Sequence, residues 1–121
     1  MVLMQKDFFT PIYDKRPWGD ELWLTKEKPS MVKLITVNPG EVNSLQYHHN
    51  RDEYWYILSG NGYAIIDGQE VKLESGKNCF IPREIKHRFR GGTEKLVLIE
   101  LAYGDFDEKD IVRLEDRYGR A

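Results

Sequence analysis

Four polar side chains in this sequence have the types and spacing of metal ligands. Gln46 and His48 are two residues apart, so on an extended strand they point to the same face. Glu53 follows after a bend, and His87 lies in a later apolar segment. Imidazole nitrogens, a carboxylate and an amide oxygen together suit a divalent ion such as Zn²⁺, Mn²⁺, Fe²⁺, Co²⁺ or Ni²⁺, and the sequence leaves the choice among them open.

The elements that must position these residues are predominantly strands. Short runs of β-branched and aromatic residues end at turn signals, as in MVKLITV (31–37), YWYILSG (54–60) and KLVLIELA (95–102). The Asp67-Gly68 pair within residues 61–73 predicts a hairpin with a type I′ turn. No sustained 3.6-residue apolar period occurs in the first hundred residues. The pattern therefore predicts an all-β sandwich or small barrel.

The last segment, residues 105–121, has a different pattern. It is highly charged, and Ile111, Leu114 and Tyr118 recur at helical spacing. Two interpretations follow: a short C-terminal helix packed on the barrel, or a solvated tail.

Length and composition limit the function classes. With 121 residues the chain fits a single domain spanning 1–121. Its 18 Lys and Arg residues are scattered among 20 Asp and Glu residues, which argues against nucleic-acid binding. The N-terminus lacks a basic region followed by an apolar stretch, and no apolar run approaches the roughly 20 residues of a membrane span. We therefore expect a soluble, cytoplasmic protein without membrane contact.

Cys79 is the only cysteine, so neither an intrachain disulfide nor a cysteine metal cluster can form. Its apolar neighbours predict a small buried core residue.

The spacing around the first three candidate ligands resembles the first motif of the cupin family. That motif is a glycine, five residues, H-x-H, three or four residues, a glutamate, six residues and a glycine. This chain has Gly40, Gln46, His48, Glu53 and Gly60 at those places, with glutamine instead of the first histidine. The resemblance implies a jelly-roll β-barrel.

A second cupin motif resembles the segment from Gly76 through Pro82 to His87. Glu84 takes the place of a glycine in this motif, and Gly91 takes the place of an asparagine. These two replacements concern the geometry of the turn more than the metal.

Residues 45–55, LQYHHNRDEYW, are similar to the L-Q-x-H-x-x-R-x-E-x-W pattern of type II phosphomannose isomerases. In that family the cupin is the C-terminal part of a bifunctional isomerase and guanylyltransferase. RPWG (16–19), IPREIKHR (81–88) and residues 107–120 also resemble the family. The resemblance implies an isomerase cupin standing alone, which interconverts mannose 6-phosphate and fructose 6-phosphate through a cis-enediol.

The same resemblance assigns Gln46, His48, Glu53 and His87 as ligands of one divalent metal ion. His49 does not match the pattern, and as the strand neighbour of His48 it should face the opposite way.

The small-molecule partner implied by the resemblance is a sugar phosphate, whose phosphate group needs cationic contacts. Arg88 matches an H-R pair of the family, although as the neighbour of His87 it should leave the strand on the other side. Arg51, Arg83 and Lys33 are further candidates. The general base stays open among Glu84, a lysine and a metal-bound hydroxide.

The sequence is also compatible with functions other than an isomerase, and it indicates an oligomeric state. A non-catalytic cupin that contains a metal and binds a sugar or small metabolite is the main alternative to the isomerase. A dioxygenase is disfavoured by the glutamine at position 46. Exposed sheet edges favour a homodimer.

Overall fold

The computed structural model describes residues 11–121, which form eleven strands and no helix. The strands are β1 (Ile12–Arg16), β2 (Gly19–Trp23), β3 (Met31–Val37), β4 (Leu45–Tyr47), β5 (Arg51–Ser59), β6 (Asn61–Ile66), β7 (Gln69–Glu74), β8 (Asn78–Ile81), β9 (His87–Gly91), β10 (Leu96–Gly104) and β11 (Val112–Glu115). No helix in this part of the chain is long and apolar enough to cross a membrane.

Two antiparallel sheets form the body of the fold. One has the order β3-β10-β5-β8, and the other has the order β11-β4-β9-β6-β7. Strands β1 and β2 form a separate hairpin. Non-consecutive neighbours such as β5 and β10 show that the chain crosses between hairpins, as in a jelly roll. The predicted all-β barrel is confirmed.

The β6–β7 hairpin has the predicted turn. Asp67 has φ of 52° and Gly68 has φ of 78°, the two positive values that a type I′ turn requires. Gly60, at the end of the first motif, is needed for a different reason: a Cβ atom there would lie 1.7 Å from the carbonyl oxygen of Lys95. A side chain at position 60 would thus collide with the backbone.

The C-terminal segment forms neither of the two expected structures. Residues Val112–Glu115 form β11, which pairs antiparallel with β4 at the edge of the five-stranded sheet. The helical spacing of Ile111, Leu114 and Tyr118 gave a wrong prediction because β4 needs a hydrogen-bonding partner along this edge. The pairing places Arg113 opposite Gln46.

The interior changes from apolar to polar along two central strands. The core between the sheets includes Ile57 on β5 and Leu96 and Leu98 on β10, all completely buried. Continuing with the same alternation, the inward positions become Glu53 on β5 and Glu100 on β10, both buried. One end of the barrel interior therefore holds buried charged groups, and the apolar core lies next to them along the same strands.

Candidate metal centre

Three of the four predicted ligands meet at this polar end. His48, Glu53 and His87 are buried, and each offers one ligand atom within 4.8 Å of the others. The Nε2 atom of His48 lies 3.2 Å from Oε2 of Glu53, and the Nε2 atom of His87 lies 3.6 Å from Oε1 of the same carboxylate. Residues from β5, β9 and the loop after β4 thus converge on one point.

Backbone carbonyl groups orient both imidazoles. The Nδ1 atom of His48 lies 2.7 Å from the carbonyl oxygen of Asp110, and the Nδ1 atom of His87 lies 2.9 Å from that of Ile85. A carbonyl oxygen only accepts hydrogen bonds, so each Nδ1 carries the proton and each Nε2 keeps its lone pair. This is how metal-binding histidines are usually oriented. The Nε2 atom of His87 is buried and has no hydrogen-bond partner in residues 11–121, as expected for an atom that binds a metal ion.

Two further side chains hold the Glu53 carboxylate. Nε1 of Trp55 donates to Oε1 at 3.2 Å, and Nε of Arg51 donates to Oε2 at 3.1 Å. Arg51 also places Nη2 3.2 Å from Nε2 of His48. Because a guanidinium group repels a divalent cation, metal binding requires His48 to exchange its contact with Arg51 for the ion.

The electrostatics give the cluster the protonation states that metal ligands need. Burial raises the pKa of Glu53, but the close contact with His48 and the electrostatic interactions with His87 and Arg51 outweigh it, so that the pKa falls to about 2. Burial lowers the pKa of His87 against the opposing effect of Glu53. At neutral pH the carboxylate is therefore ionised and the His87 imidazole is neutral, the forms that bind metal ions.

Gln46 lies beside this cluster. It is the register partner of His87 across β4 and β9, so the two side chains occupy the same face of the sheet. Its amide oxygen accepts a hydrogen bond of 2.6 Å from the hydroxyl group of Ser44, which is fully buried. An amide oxygen has two lone pairs, so this bond leaves one for a metal ion. The ligand types of all four residues suit a divalent cation, and three of them lie within 4.8 Å of one another.

A cavity of about 410 Å³ opens next to the cluster. Gln46, Arg51 and Glu100 are among its lining residues, and it is large enough for a small metabolite. Burial, followed by the nearby charge of Glu53, raises the pKa of Glu100 to about 8. Two neighbouring carboxyl groups thus have pKa values far apart, an arrangement found where acid–base chemistry occurs.

Comparison with known proteins identifies the family of this chain. The family model described as mannose-6-phosphate isomerase C-terminal matches residues 5–116. The chain belongs to this family. A relative from Salmonella typhimurium, mannose-1-phosphate guanylyltransferase ManC, is 39% identical over 107 residues, which cover 87% of this chain and 22% of the relative. The chain therefore spans about a fifth of the length of that protein.

Solved structures agree on the fold of this family member. A cupin protein from Bacteroides fragilis superimposes with a TM-score of 0.58 at 18% identity, covering 74% of this chain and 83% of that one. The 3'-monoepimerase ChmJ from Streptomyces bikiniensis gives a TM-score of 0.72 at 11% identity, covering 87% and 67%. The barrel is thus a cupin fold.

The structure separates the four cations predicted to bind phosphate into two groups. Lys33 and Arg51 line the cavity. Arg88 lies on the opposite face of β9 from His87, where it pairs with Glu115 at 3.2 Å and donates to the carbonyl oxygen of Asn43. Strand alternation therefore excludes Arg88 from the cavity that Lys33 and Arg51 line.

Arg83 also lies away from the cavity. It forms a two-pronged ion pair with Asp52, and both its Nε and Nη2 contacts are 3.2 Å long. His49 is exposed and lies 3.6 Å from Glu84, which is itself exposed and has φ of 70°. Glu84 thus adopts the left-handed conformation for which the cupin pattern has glycine, and its exposed position outside the cavity removes it from the candidates for the base.

Three residues of the site were missed by the sequence interpretation. Glu100 had a signal, since it is the only charged residue within the apolar run 96–102 and shares the inward alternation of Leu96 and Leu98. Asp110, whose carbonyl group orients His48, and Arg113, which lines the cavity, had none, because they lie in a tail in which most residues are charged. Their roles depend on the pairing of β11 with β4.

Proposed function

We propose that this chain is a metal-dependent aldose–ketose isomerase that interconverts mannose 6-phosphate and fructose 6-phosphate. The observation that carries the proposal is the buried cluster of His48, Glu53 and His87 beside a cavity, in a member of the mannose-6-phosphate isomerase C-terminal family. The long relative named above is called a guanylyltransferase, and this chain corresponds to only 22% of it. The name of that relative therefore does not establish an isomerase activity for this chain, and we assign the activity from the site.

The isomerisation moves a proton between C2 and C1 of the sugar, and negative charge develops on the oxygens of both carbons. A divalent ion held by Gln46, His48, Glu53 and His87 would stabilise that charge as a Lewis acid. The protein keeps the ligands in place through Trp55 and the backbone carbonyl groups that bind each Nδ1. These partners limit the reorganisation of the ligands during the reaction.

A carboxyl group is also available for the proton transfer. Glu100 lines the cavity beside the cluster and is not needed to complete the four ligands. It is buried at the inward position of β10, and the aligned partner on β5 is Trp55. We assign the transfer of the proton between C2 and C1 to Glu100 because of this position.

The decisive experiment is a turnover assay on protein loaded with Zn²⁺, Mn²⁺, Fe²⁺, Co²⁺ or Ni²⁺, one metal at a time. Conversion of mannose 6-phosphate should appear with at least one metal, disappear with a chelator and return when the metal is restored. In D₂O, exchange of the transferred proton with solvent should place deuterium on the sugar carbon. A metal-loaded protein that binds sugar phosphates yet gives no turnover with any of the five metals would refute the isomerase.

A binding protein without catalytic activity is the second candidate, and Arg51 is the observation that favours it. Its guanidinium group neutralises Glu53 and contacts His48, so the cluster is electrostatically balanced without a metal ion. A protein of this kind would bind the sugar phosphate with the same affinity before and after chelation. The isomerase instead requires the metal for turnover.

A further inference from the structure

The cavity beside the candidate metal centre has an excess of positive charge. Its lining includes four cationic side chains, two of them from the C-terminal segment, and two carboxyl groups: Lys33, Arg51, Arg113, Arg120, Glu100 and Glu108. The cations outnumber the acids by two. Such a surface attracts an anion.

Two of the four cations are occupied within the protein. Arg51 is held by Glu53, and Arg120 forms bonds of 2.8 and 2.9 Å with the carboxylate of Asp116. Lys33 contacts the ring of Phe106, with its Nζ atom 5.5 Å from the ring centre, which leaves its hydrogen-bond donors available.

Arg113 is the unusual member of this set. Its Nε atom is buried and finds no hydrogen-bond partner in residues 11–121. A buried donor without an acceptor is costly, and in native proteins it commonly bonds to water, an ion or a ligand. The unpaired atom belongs to the guanidinium group of a side chain that lines the cavity, which places an unsatisfied donor group beside it.

Strand register fixes where Arg113 lies relative to the metal ligands. Arg113 is opposite Gln46 across β11 and β4, and Gln46 is opposite His87 across β4 and β9. These three residues form one row across the sheet, so their side chains share a face. Neighbouring strands are about 4.8 Å apart, which separates the backbones of Arg113 and His87 by about 10 Å.

We propose that Arg113, together with Lys33, forms the subsite that binds the phosphate group of a sugar phosphate. The inference rests on the proposed function, because it places the reacting end of the sugar at Gln46 and His87 and the phosphate two strands away. The planar guanidinium group of Arg113 can donate two parallel hydrogen bonds to phosphate oxygens. The proposal also gives β11 a function, because this strand carries the phosphate-binding residue Arg113.

Binding should be measured directly, by calorimetry on the metal-loaded protein with mannose 6-phosphate, mannose and inorganic phosphate. Arg113→Gln should weaken the binding of mannose 6-phosphate about ten- to a hundredfold, the range for loss of a charge-assisted contact. Its affinity for mannose and its metal content should stay unchanged. Arg113→Lys should recover part of the affinity, because it restores the charge without the planar fork.

Arg90→Gln is the matched control. Arg90 is exposed on the outer side of β9 and lines a different groove, so this variant should bind mannose 6-phosphate like the unaltered protein. Lys33→Gln is a second test on another strand, and it should also weaken binding while leaving β11 intact. Circular dichroism and thermal unfolding of each variant check that the barrel is preserved.

The outcomes separate this inference from the proposed isomerase. If the protein gives no turnover but Arg113→Gln selectively loses affinity for the phosphorylated sugar, the subsite stands and the isomerase fails. If the protein turns over but folded Arg113→Gln and Lys33→Gln bind mannose 6-phosphate normally, the subsite is overturned. A selective loss in Arg88→Gln instead would move the phosphate to the outer face and also overturn it. Equal affinity of the unaltered protein for mannose and mannose 6-phosphate would overturn it as well.

Discussion

Replacing one of two adjacent histidines should distinguish a metal ligand from a surface residue. His48 is 2% exposed and directs Nε2 toward Glu53, whereas the side chain of His49 is 50% exposed. We predict that His48→Ala abolishes high-affinity binding of a divalent ion and that His49→Ala binds the ion normally. The pair is closely matched, since both variants remove an imidazole at neighbouring positions.

The expected size of the effect follows from the contacts. Changing a residue that merely orients a metal ligand costs 10- to 100-fold in affinity, so removing the ligand itself should cost at least about 100-fold, or about 2.8 kcal/mol. His48→Ala also removes the hydrogen bond to the Asp110 carbonyl, worth about 1 kcal/mol, and leaves a cavity. His49→Ala should change the free energy of unfolding by no more than about 1 kcal/mol, because it loses an exposed contact with Glu84 and an edge-on contact with the Tyr47 ring.

Competition with a chromophoric chelator gives the affinities, and the absorption spectrum of bound Co²⁺ reports the coordination number. His87→Gln provides a second ligand variant in case His48→Ala fails to fold. Equal losses of affinity in His48→Ala and His49→Ala would refute the assignment of ligands. So would a Co²⁺ spectrum that is the same in His87→Gln and in the unaltered protein.

Three further predictions concern the base, the strained turn and the thiol. Glu100→Gln should reduce turnover by at least about a hundredfold, the lower range for loss of a general acid or base, and should retain the metal; normal activity with metal bound would remove Glu100 from the mechanism. Glu84→Gly should raise the free energy of unfolding in urea by about 0.5–1 kcal/mol, since its φ of 70° is costly for residues with a Cβ atom, whereas Glu84→Ala should bring no gain. Burial raises the pKa of Cys79 to about 11 and so favours the neutral thiol in the folded protein. Alkylation of this thiol below pH 9 should therefore be much slower in the native than in the urea-unfolded protein. Equal rates would contradict this prediction. By linkage, the stability from Cys79 is present below its unfolded pKa of about 9 and is lost as the pH rises toward 11.

Several parts of the fold and the site are readable from the sequence because they depend on local patterns. Alternation within a strand determines which residues share a face, and this predicts that Arg88 points away from His87, as the structure shows. The demand for positive φ makes Asp67-Gly68 a recognisable turn. Ligand types at fixed spacings indicate a divalent metal site, and the motif around them indicates the cupin family. The homodimer, the single domain and the cytoplasmic location stay predictions.

Other features were decided by which strands become neighbours, and local patterns do not encode this. The charged tail has a helical apolar spacing, yet it forms β11 because the open edge of β4 satisfies its backbone hydrogen bonds. That pairing brings Arg113 to the cavity, and the carbonyl group of Asp110, just before β11, holds His48 across 62 positions of sequence. Likewise, alternation puts His87 and Arg88 on opposite faces of β9, but only the packing of the other sheet decides which of these faces is the inner one. Contacts between residues this far apart depend on the packing of the whole barrel, so only the tertiary structure could place them.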